Sequence, residues 1–360
     1  MPANVASTAL THYSLLGRTG LRVSPFCLGA MTFGNTGSWG ADENQSRAIF
    51  DRYRAAGGNF IDTANVYTEG QSETLLGQFL SSSGERDRIV LATKFSISTF
   101  RGDPNAGGNG RKNIYQSLEA SLKRLKTDYI DLYYLHYWDT LTPIDEVMET
   151  LDALVRSGKV RYFGLSDVPA WYLAKGQTYA ALQGKTKIAA LQVEYSLLDR
   201  TIENEHVAAA QDLGVGICAW GPLGSGLLTG KYQRDRSAQG EGRIAIDKHY
   251  ERQLTERNFK IVDALVEVAK ELGRPPSQVA LNWISRRPAV TSTIIGARTP
   301  VQLDENLAAL EFDIPAELSE RLNRASRDLH PHLYDFFEEP SHGALTAARV
   351  SAQPNREYLR

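Results

Sequence analysis

Four residues able to move or steer a proton stand at the ends of short apolar runs, in ascending chain order. They are Asp62 and Tyr67 in FIDTANVYTEG, Lys94 in IVLATKF and His136 in IDLYYLHYWD. Each follows a mostly apolar run of the kind found in strands buried on both faces. A free phenol titrates at about 10, so Tyr67 needs a neighbouring cation to exchange a proton near neutrality. Lys94 is the candidate cation, and Asp62 is the carboxylate that would keep it charged in a partly apolar surrounding. His136 would add a hydrogen bond to a substrate oxygen and steady the alkoxide as it forms. Such a set polarises a carbonyl. Each member alone has a plainer reading: a cap for Asp62, a structural ring for Tyr67, a snorkelling rim lysine for Lys94 and a hydrogen-bonded core imidazole for His136. The conjunction of the four carries the chemical expectation.

The elements that must position these residues alternate along the chain. Apolar runs predict strands over 23–28, 59–61, 89–92, 129–134, 160–165, 188–193, 215–219 and 292–295. Amphipathic patterns predict helices over 43–56, 71–82, 112–124 and 145–157, then 171–182, 203–212, 257–272 and 300–309. Gly57-Gly58, Gly158, Gly214 and Gly273 follow helical patterns where a left-handed cap is expected. Eight strand–helix units predict an α/β fold, a closed (β/α)8 TIM barrel, whose parallel strands need crossover helices and whose closure leaves no sheet edge. An open doubly wound sheet is the competing architecture. A barrel takes about 250 residues, so the surplus is expected in long βα loops at 96–111 and 232–256 and in a tail past 326. The expectation is one domain over 1–360, with its core at about 13–325 and 326–360 as a C-terminal tail.

Composition narrows the function class. The chain has 360 residues, 42% of them hydrophobic, and a formal charge of −2, with basic residues scattered. Nucleic acid and membrane are therefore poor partners. Cys27 and Cys218 lie inside apolar runs and no signal peptide opens the chain, which predicts two buried thiols in a cytoplasmic protein. Gly214-Val-Gly216-Ile-Cys-Ala219 matches a dinucleotide fingerprint formally but runs through a strand and ends in Trp220-Gly221-Pro222. GSGLLTGKY at 224–232 lacks the spacing of an ATP phosphate loop. The only His-x-His is His330-Pro-His332, in the tail, so a metal-dependent hydrolase is not expected and no metal is assigned.

FIDTANVYTEGQSETLLG, LATKF, DYIDLYYLHYWD, VRYFGLSD, GPLGSGLLTGKY and IIGARTPVQLDENLAAL, in this order, resemble the signature segments of the aldo-keto reductase superfamily over about residues 13–325. The resemblance implies a barrel that binds NADP(H) without a Rossmann domain and interconverts a carbonyl and its alcohol by direct hydride transfer. It implies Tyr67 as general acid/base, Lys94 and Asp62 as the partners that tune it, and His136 as the residue that orients the carbonyl. It also implies a grip on the nicotinamide amide by Ser166, Asp167 and Gln192, with Trp220 stacked on the ring. Gly221, Pro222, Leu223, Gly224, Ser225 and Gly226, with Lys231, match a pyrophosphate strap. Gly296, Arg298, Gln302, Glu305 and Asn306 match the adenosine end, Arg298 facing a 2′-phosphate.

One departure stands out. Relatives usually carry Ser-Asn where this chain has Ser166-Asp167, and a carboxylate accepts hydrogen bonds without donating them. Asp167→Asn is expected to leave NADP(H) affinity equal or better. Met31, Trp39, Tyr137 and Trp138 are expected to wall an apolar pocket for an aromatic or bulky carbonyl, with 330–340 folded over the mouth. The alternative from another class is a redox-sensing regulatory barrel similar to channel-associated β subunits, which keeps the cofactor and turns over little. His136 argues against it, because those relatives tend to lack that histidine. Oligomeric state is left open.

Overall fold

The computed structural model describes residues 9–34, 40–232, 234, 244, 248–327 and 333–334. A short antiparallel hairpin, β1 (Ser14–Leu15) and β2 (Arg22–Val23), comes first. Eight parallel strands then close into a barrel: β3 (Phe26–Gly29), β4 (Phe60–Asp62), β5 (Val90–Phe95), β6 (Ile130–Leu135), β7 (Val160–Ser166), β8 (Ala190–Glu194), β9 (Gly216–Trp220) and β10 (Val290–Ile295). Each pairs with its chain neighbour, and β10 returns to β3. That closure excludes the open sheet and leaves no edge among these strands to attract another chain. The formal fingerprint at 214–219 runs from a helix cap into β9, so it does not form the strand-to-helix turn that a dinucleotide fingerprint requires.

The pleat sorts side chains by twos. Cys27, Phe60, Val90, Ala92, Leu132, Tyr134, Ala190 and Cys218 form an apolar cluster inside the barrel. Leu16 and Val23 of the hairpin join it, and Arg18 N donates to Gly214 O (2.8 Å), which seats the hairpin at the N-terminal end of the strands. The intervening residues Ile61, Leu91, Tyr133, Phe163, Leu191 and Ile217 face outward into the larger core shared with the helices. Gly164 is required where Tyr134 crosses the interior, since a Cβ there would lie 2.4 Å from the Tyr134 ring. Two residues beyond an interior residue is again interior. Asp62 therefore follows Phe60, Lys94 follows Ala92, His136 follows Tyr134, Gln192 follows Ala190 and Trp220 follows Cys218.

The helices among the described residues are α1 (Glu43–Ala55), α2 (Gln71–Ser83), α3 (Arg111–Leu125), α4 (Ile144–Arg156), α5 (Ala170–Gln183), α6 (His206–Leu213), α7 (Glu256–Leu272), α8 (Pro276–Ser285), α9 (Pro300–Leu307) and α10 (Ala316–Ser326). All eight expected helical segments are occupied, while α8 and α10 are additional. Pro275-Pro276 reads as a break, yet Pro276 opens α8 at a position where its missing N–H costs nothing. The consequence is topological: α8 packs on β10 as the last crossover helix, whereas α7 pairs with α10. The expected strand 23–28 also divides. Ser24 N leaves the ladder for Asn59 Oδ1 (2.9 Å) and Pro25 has no N–H to offer, so the barrel strand begins at Phe26.

Candidate active site

The C-terminal ends of the strands open into one cavity of about 1020 Å³. At its floor the Lys94 ammonium, fully buried, is held by three oxygens. It pairs with Asp62 Oδ1, donates to Thr63 O (2.9 Å) and donates to Tyr67 Oη (3.1 Å). Gln192 Nε2 donates to the other oxygen of Asp62 (2.9 Å). The His136 ring meets the Tyr67 ring edge-on at 5.8 Å, and Tyr137 stacks on the far side of His136 at 4.8 Å. The four residues from three chain segments thus converge.

Their electrostatics differ from the simplest expectation. Burial alone would strip the proton from Lys94, but attraction from Asp62 and Tyr67, with hydrogen bonds to both, keeps the ammonium above the ordinary lysine range. Burial raises the Tyr67 phenol, and the neighbouring ammonium lowers it by less than burial raises it. Lys94 therefore tempers the rise without reversing it, and Tyr67 holds its proton at neutrality. Burial, assisted by Lys94, depresses His136 to about 2, so its imidazole is neutral. Its Nδ1 is buried without a hydrogen-bond partner, which leaves Nε2 as the nitrogen available to the cavity.

Local structure explains how Tyr67 reaches this position. Thr68 and Glu69, immediately after it, adopt left-handed backbone angles (φ 48° and 55°), which a β-branched residue rarely does. Thr68 Oγ1 anchors the turn by donating to Phe33 O (2.7 Å). Behind the site, Glu73 on α2 is fully buried and accepts from Thr93 Oγ1 (2.5 Å) and Arg124 Nε (2.6 Å), which ties β5 to α2 and α3.

Much of the remaining cavity wall is drawn from the expected residues. Ser166, Asp167, Gln192 and Trp220 line one region; Gly221, Pro222, Leu223, Ser225, Gly226 and Lys231 line a second. Gly296, Arg298, Gln302, Glu305 and Asn306 line a third. Gly224 does not line it, because this position turns toward Leu198, 2.3 Å from where a Cβ would sit. Gln302 Oε1 accepts from Arg298 N (2.9 Å) and Asn306 Nδ2 donates to Gly296 O (3.1 Å), so both amides brace the loop between β10 and α9. Asp167 has φ 46°, accepts from Trp220 Nε1 (3.1 Å) and from Ser166 Oγ (3.3 Å), and is pushed up to about 6 by burial.

The expected substrate wall is partly reassigned. Met31 and Tyr137 line the cavity. Trp138 does not; its ring packs against Trp171 at 5.5 Å and Tyr172 at 5.7 Å on α5, because the strand has ended and the next residue points away. Trp39 lies outside the described residues, as does most of 330–340; Tyr334 Oη donates to Glu205 Oε1 (2.5 Å) just before α6. His330 and His332 are likewise outside, and among the described residues no group of three or more His, Cys, Asp and Glu is placed to hold a metal. Cys27 and Cys218 are buried free thiols. No described helix is long and apolar enough to cross a membrane.

Several residues at the site escaped the sequence. Glu194 and Arg252 line the cavity, and burial raises Glu194 to about 7. Glu194 was findable, being two residues past Gln192 on the same strand face, whereas nothing in the sequence around Arg252 points to the site. Asn109, fully buried in the Gly-rich stretch after β5, accepts from Ser96 Oγ (2.6 Å) and donates to Tyr137 O (2.9 Å), while Ser96 Oγ accepts from His136 N (3.0 Å). That bridge fixes the backbone on both sides of His136, and it converts an apparently loose loop into a support.

Comparisons with known proteins point to one family. The Aldo/keto reductase family model matches residues 25–327. An uncharacterized oxidoreductase, YrpG, of Bacillus subtilis (strain 168) is 39% identical over 322 residues, 87% of this chain and 95% of that protein. A norsolorinic acid reductase, stcV, of Emericella nidulans is 37% identical over 317 residues, covering 85% of this chain and 79% of its own. An aryl-alcohol dehydrogenase of Phanerodontia chrysosporium, named for NADP(+), is 35% identical over 328 residues, 87% of this chain and 85% of that protein.

Proposed function

This chain belongs to the aldo/keto reductase family, and from that premise we propose that it is an NADP(H)-dependent oxidoreductase for aromatic or bulky aldehydes and ketones and their alcohols. The observation that carries the reading is the Lys94 ammonium bonded at once to Asp62 and Tyr67, beneath a cavity that His136 also lines. The cavity's chemistry fits a nicotinamide dinucleotide. Gly221 and Gly226 have φ 69° and 95° and offer bare backbone to the space, and Gly296 borders it with nothing within 4 Å of a would-be Cβ. Lys231 and Arg298 supply cationic groups for phosphates, and Arg298 favours a 2′-phosphate.

A bound reduced nicotinamide would supply the hydride that adds to the carbonyl carbon. Tyr67 holds the proton at Oη that the nascent alkoxide needs, and Lys94 stabilises the phenolate left behind. Asp62 keeps Lys94 charged, and Gln192 holds Asp62 from the cofactor side. His136, neutral, donates from Nε2 to the carbonyl oxygen and fixes its direction. Tyr137, stacked on His136 and 45% exposed, with Met31 and Ile97 beside it, offers an aromatic and apolar wall. The relative named for an aryl alcohol supports that substrate class.

The test is a carbonyl panel followed by the absorbance of NADPH, run beside NADH. Aromatic aldehydes are expected to turn over with kcat/KM for NADPH roughly tenfold or more above that for NADH, the scale of one well-placed charged contact. Absence of turnover with both nucleotides across aromatic and aliphatic carbonyls would refute the reading.

A further inference from the structure

The end of the cavity at β7 and β8 is rich in acceptors and short of donors. Gln192 turns its amide nitrogen to Asp62, Ser166 turns its hydroxyl proton to Asp167, and Glu194 adds another carboxyl. A carboxamide bound there presents two N–H donors, which this set satisfies, and a carbonyl oxygen, which it does not. Asp167 already accepts the Trp220 indole proton at Oδ1 (3.1 Å), so a proton added to its carboxyl belongs on Oδ2, beside Ser166 and the cavity.

We infer that Asp167 grips the nicotinamide carboxamide as the neutral acid, an oxygen counterpart of asparagine, so that cofactor affinity falls as this carboxyl ionises. The inference rests on the NADP(H) reading above. It stands first on the geometry of the donors and on burial. Ionisation is disfavoured mainly by desolvation, which places the group at about 6 before any ligand covers it. The indole N–H, the Ser166 hydroxyl, the Glu194 backbone N–H and the Lys94 ammonium on β5 pull the other way. Of the charged or titratable groups around it, Tyr67 stays protonated, and Glu194 on β8 is raised to about 7 by burial, then by Asp199 and Asp167, with Arg252 opposing. A ligand that excludes the remaining water and accepts the Asp167 proton raises the group further. A group whose pKa rises on binding takes up a proton, so affinity is greatest on the acid side and declines as pH climbs past the free-protein value.

The test is a fluorescence titration of NADPH from about pH 5 to about pH 9 on the native protein, Asp167→Asn and Glu194→Gln, a window that spans the expected ionisation. Asn tolerates the left-handed backbone at 167, so the variant keeps the turn. The 2′-phosphate titrates in all three experiments, and comparing proteins at each pH removes its contribution. The expected result is that Kd of the native protein relative to Asp167→Asn rises about tenfold across the window, one linked proton with a shift of about one unit. Glu194→Gln is expected to keep the native slope. A constant ratio, a slope lost in Glu194→Gln but kept in Asp167→Asn, or weaker binding by Asp167→Asn at every pH would overturn the inference and leave the cofactor reading standing. Failure of all three proteins to bind NADPH at any pH would overturn both.

Discussion

Tyr67 keeps its proton because burial outweighs the ammonium beside it, and this sets its direction of use. In the proposed mechanism the phenol is ready to donate in carbonyl reduction, while alcohol oxidation has to wait for the phenolate. Reduction is therefore expected to hold steady through neutral pH, whereas oxidation rises with pH; kcat profiles in both directions check this. His136, depressed to about 2, should leave no inflection near the ordinary imidazole value of about 6.5. A break there that persists in Asp167→Asn and Glu194→Gln, which lack the carboxyls that titrate at about 6 and about 7, would remove the neutral imidazole from the mechanism. Tyr67→Phe should lower kcat by about a hundredfold or more with little change in NADPH affinity, since it removes the acid and leaves the cofactor wall intact. Full turnover by that variant would show that another group delivers the proton.

Strand ends carry the site, and the elements behind them keep those ends in place. Lys94 follows Thr93, whose hydroxyl is held by Glu73 on α2, and Glu73 in turn holds Arg124 on α3. Glu73→Ala leaves a buried hydroxyl and a guanidinium without their anion. Arg124 is 27% exposed at its side chain and can recover some water, so the expected loss is about 2–3 kcal/mol, measured by urea unfolding. A loss below about 0.5 kcal/mol would mean that the ion pair is incidental. Loops contribute as well as strands. The Ser96–Asn109–Tyr137 bridge positions the segment bearing His136, and the strained turn at Thr68 and Glu69 aims Tyr67, so the proposed acid is held by conformations that an isolated peptide would not favour.

At the scale of the barrel, one end is packed shut by the hairpin and the other is open, where the strand ends frame a large cavity. A ligand bound there contacts several strands at once and stabilises the closed ring by mass action. NADPH at about a hundredfold excess over its Kd should add about 2.7 kcal/mol, a rise in Tm of about 4 °C by scanning fluorimetry, with NADH at equal concentration giving less. Equal shifts would remove the case for a 2′-phosphate contact at Arg298. The sequence by itself determined the barrel strands and put Asp62, Lys94 and His136 at their ends, because apolar runs are local properties, while most of the cavity wall, Gln192 included, was legible only through the resemblance of its segments to a known family. Tertiary structure decided the rest. The extra helices α8 and α10, the outward turn of Trp138, the Asn109 bridge and the raised carboxyl of Asp167 all depend on which distant residues touch and how completely water is excluded, and neither quantity has a signature in the order of residues along the chain.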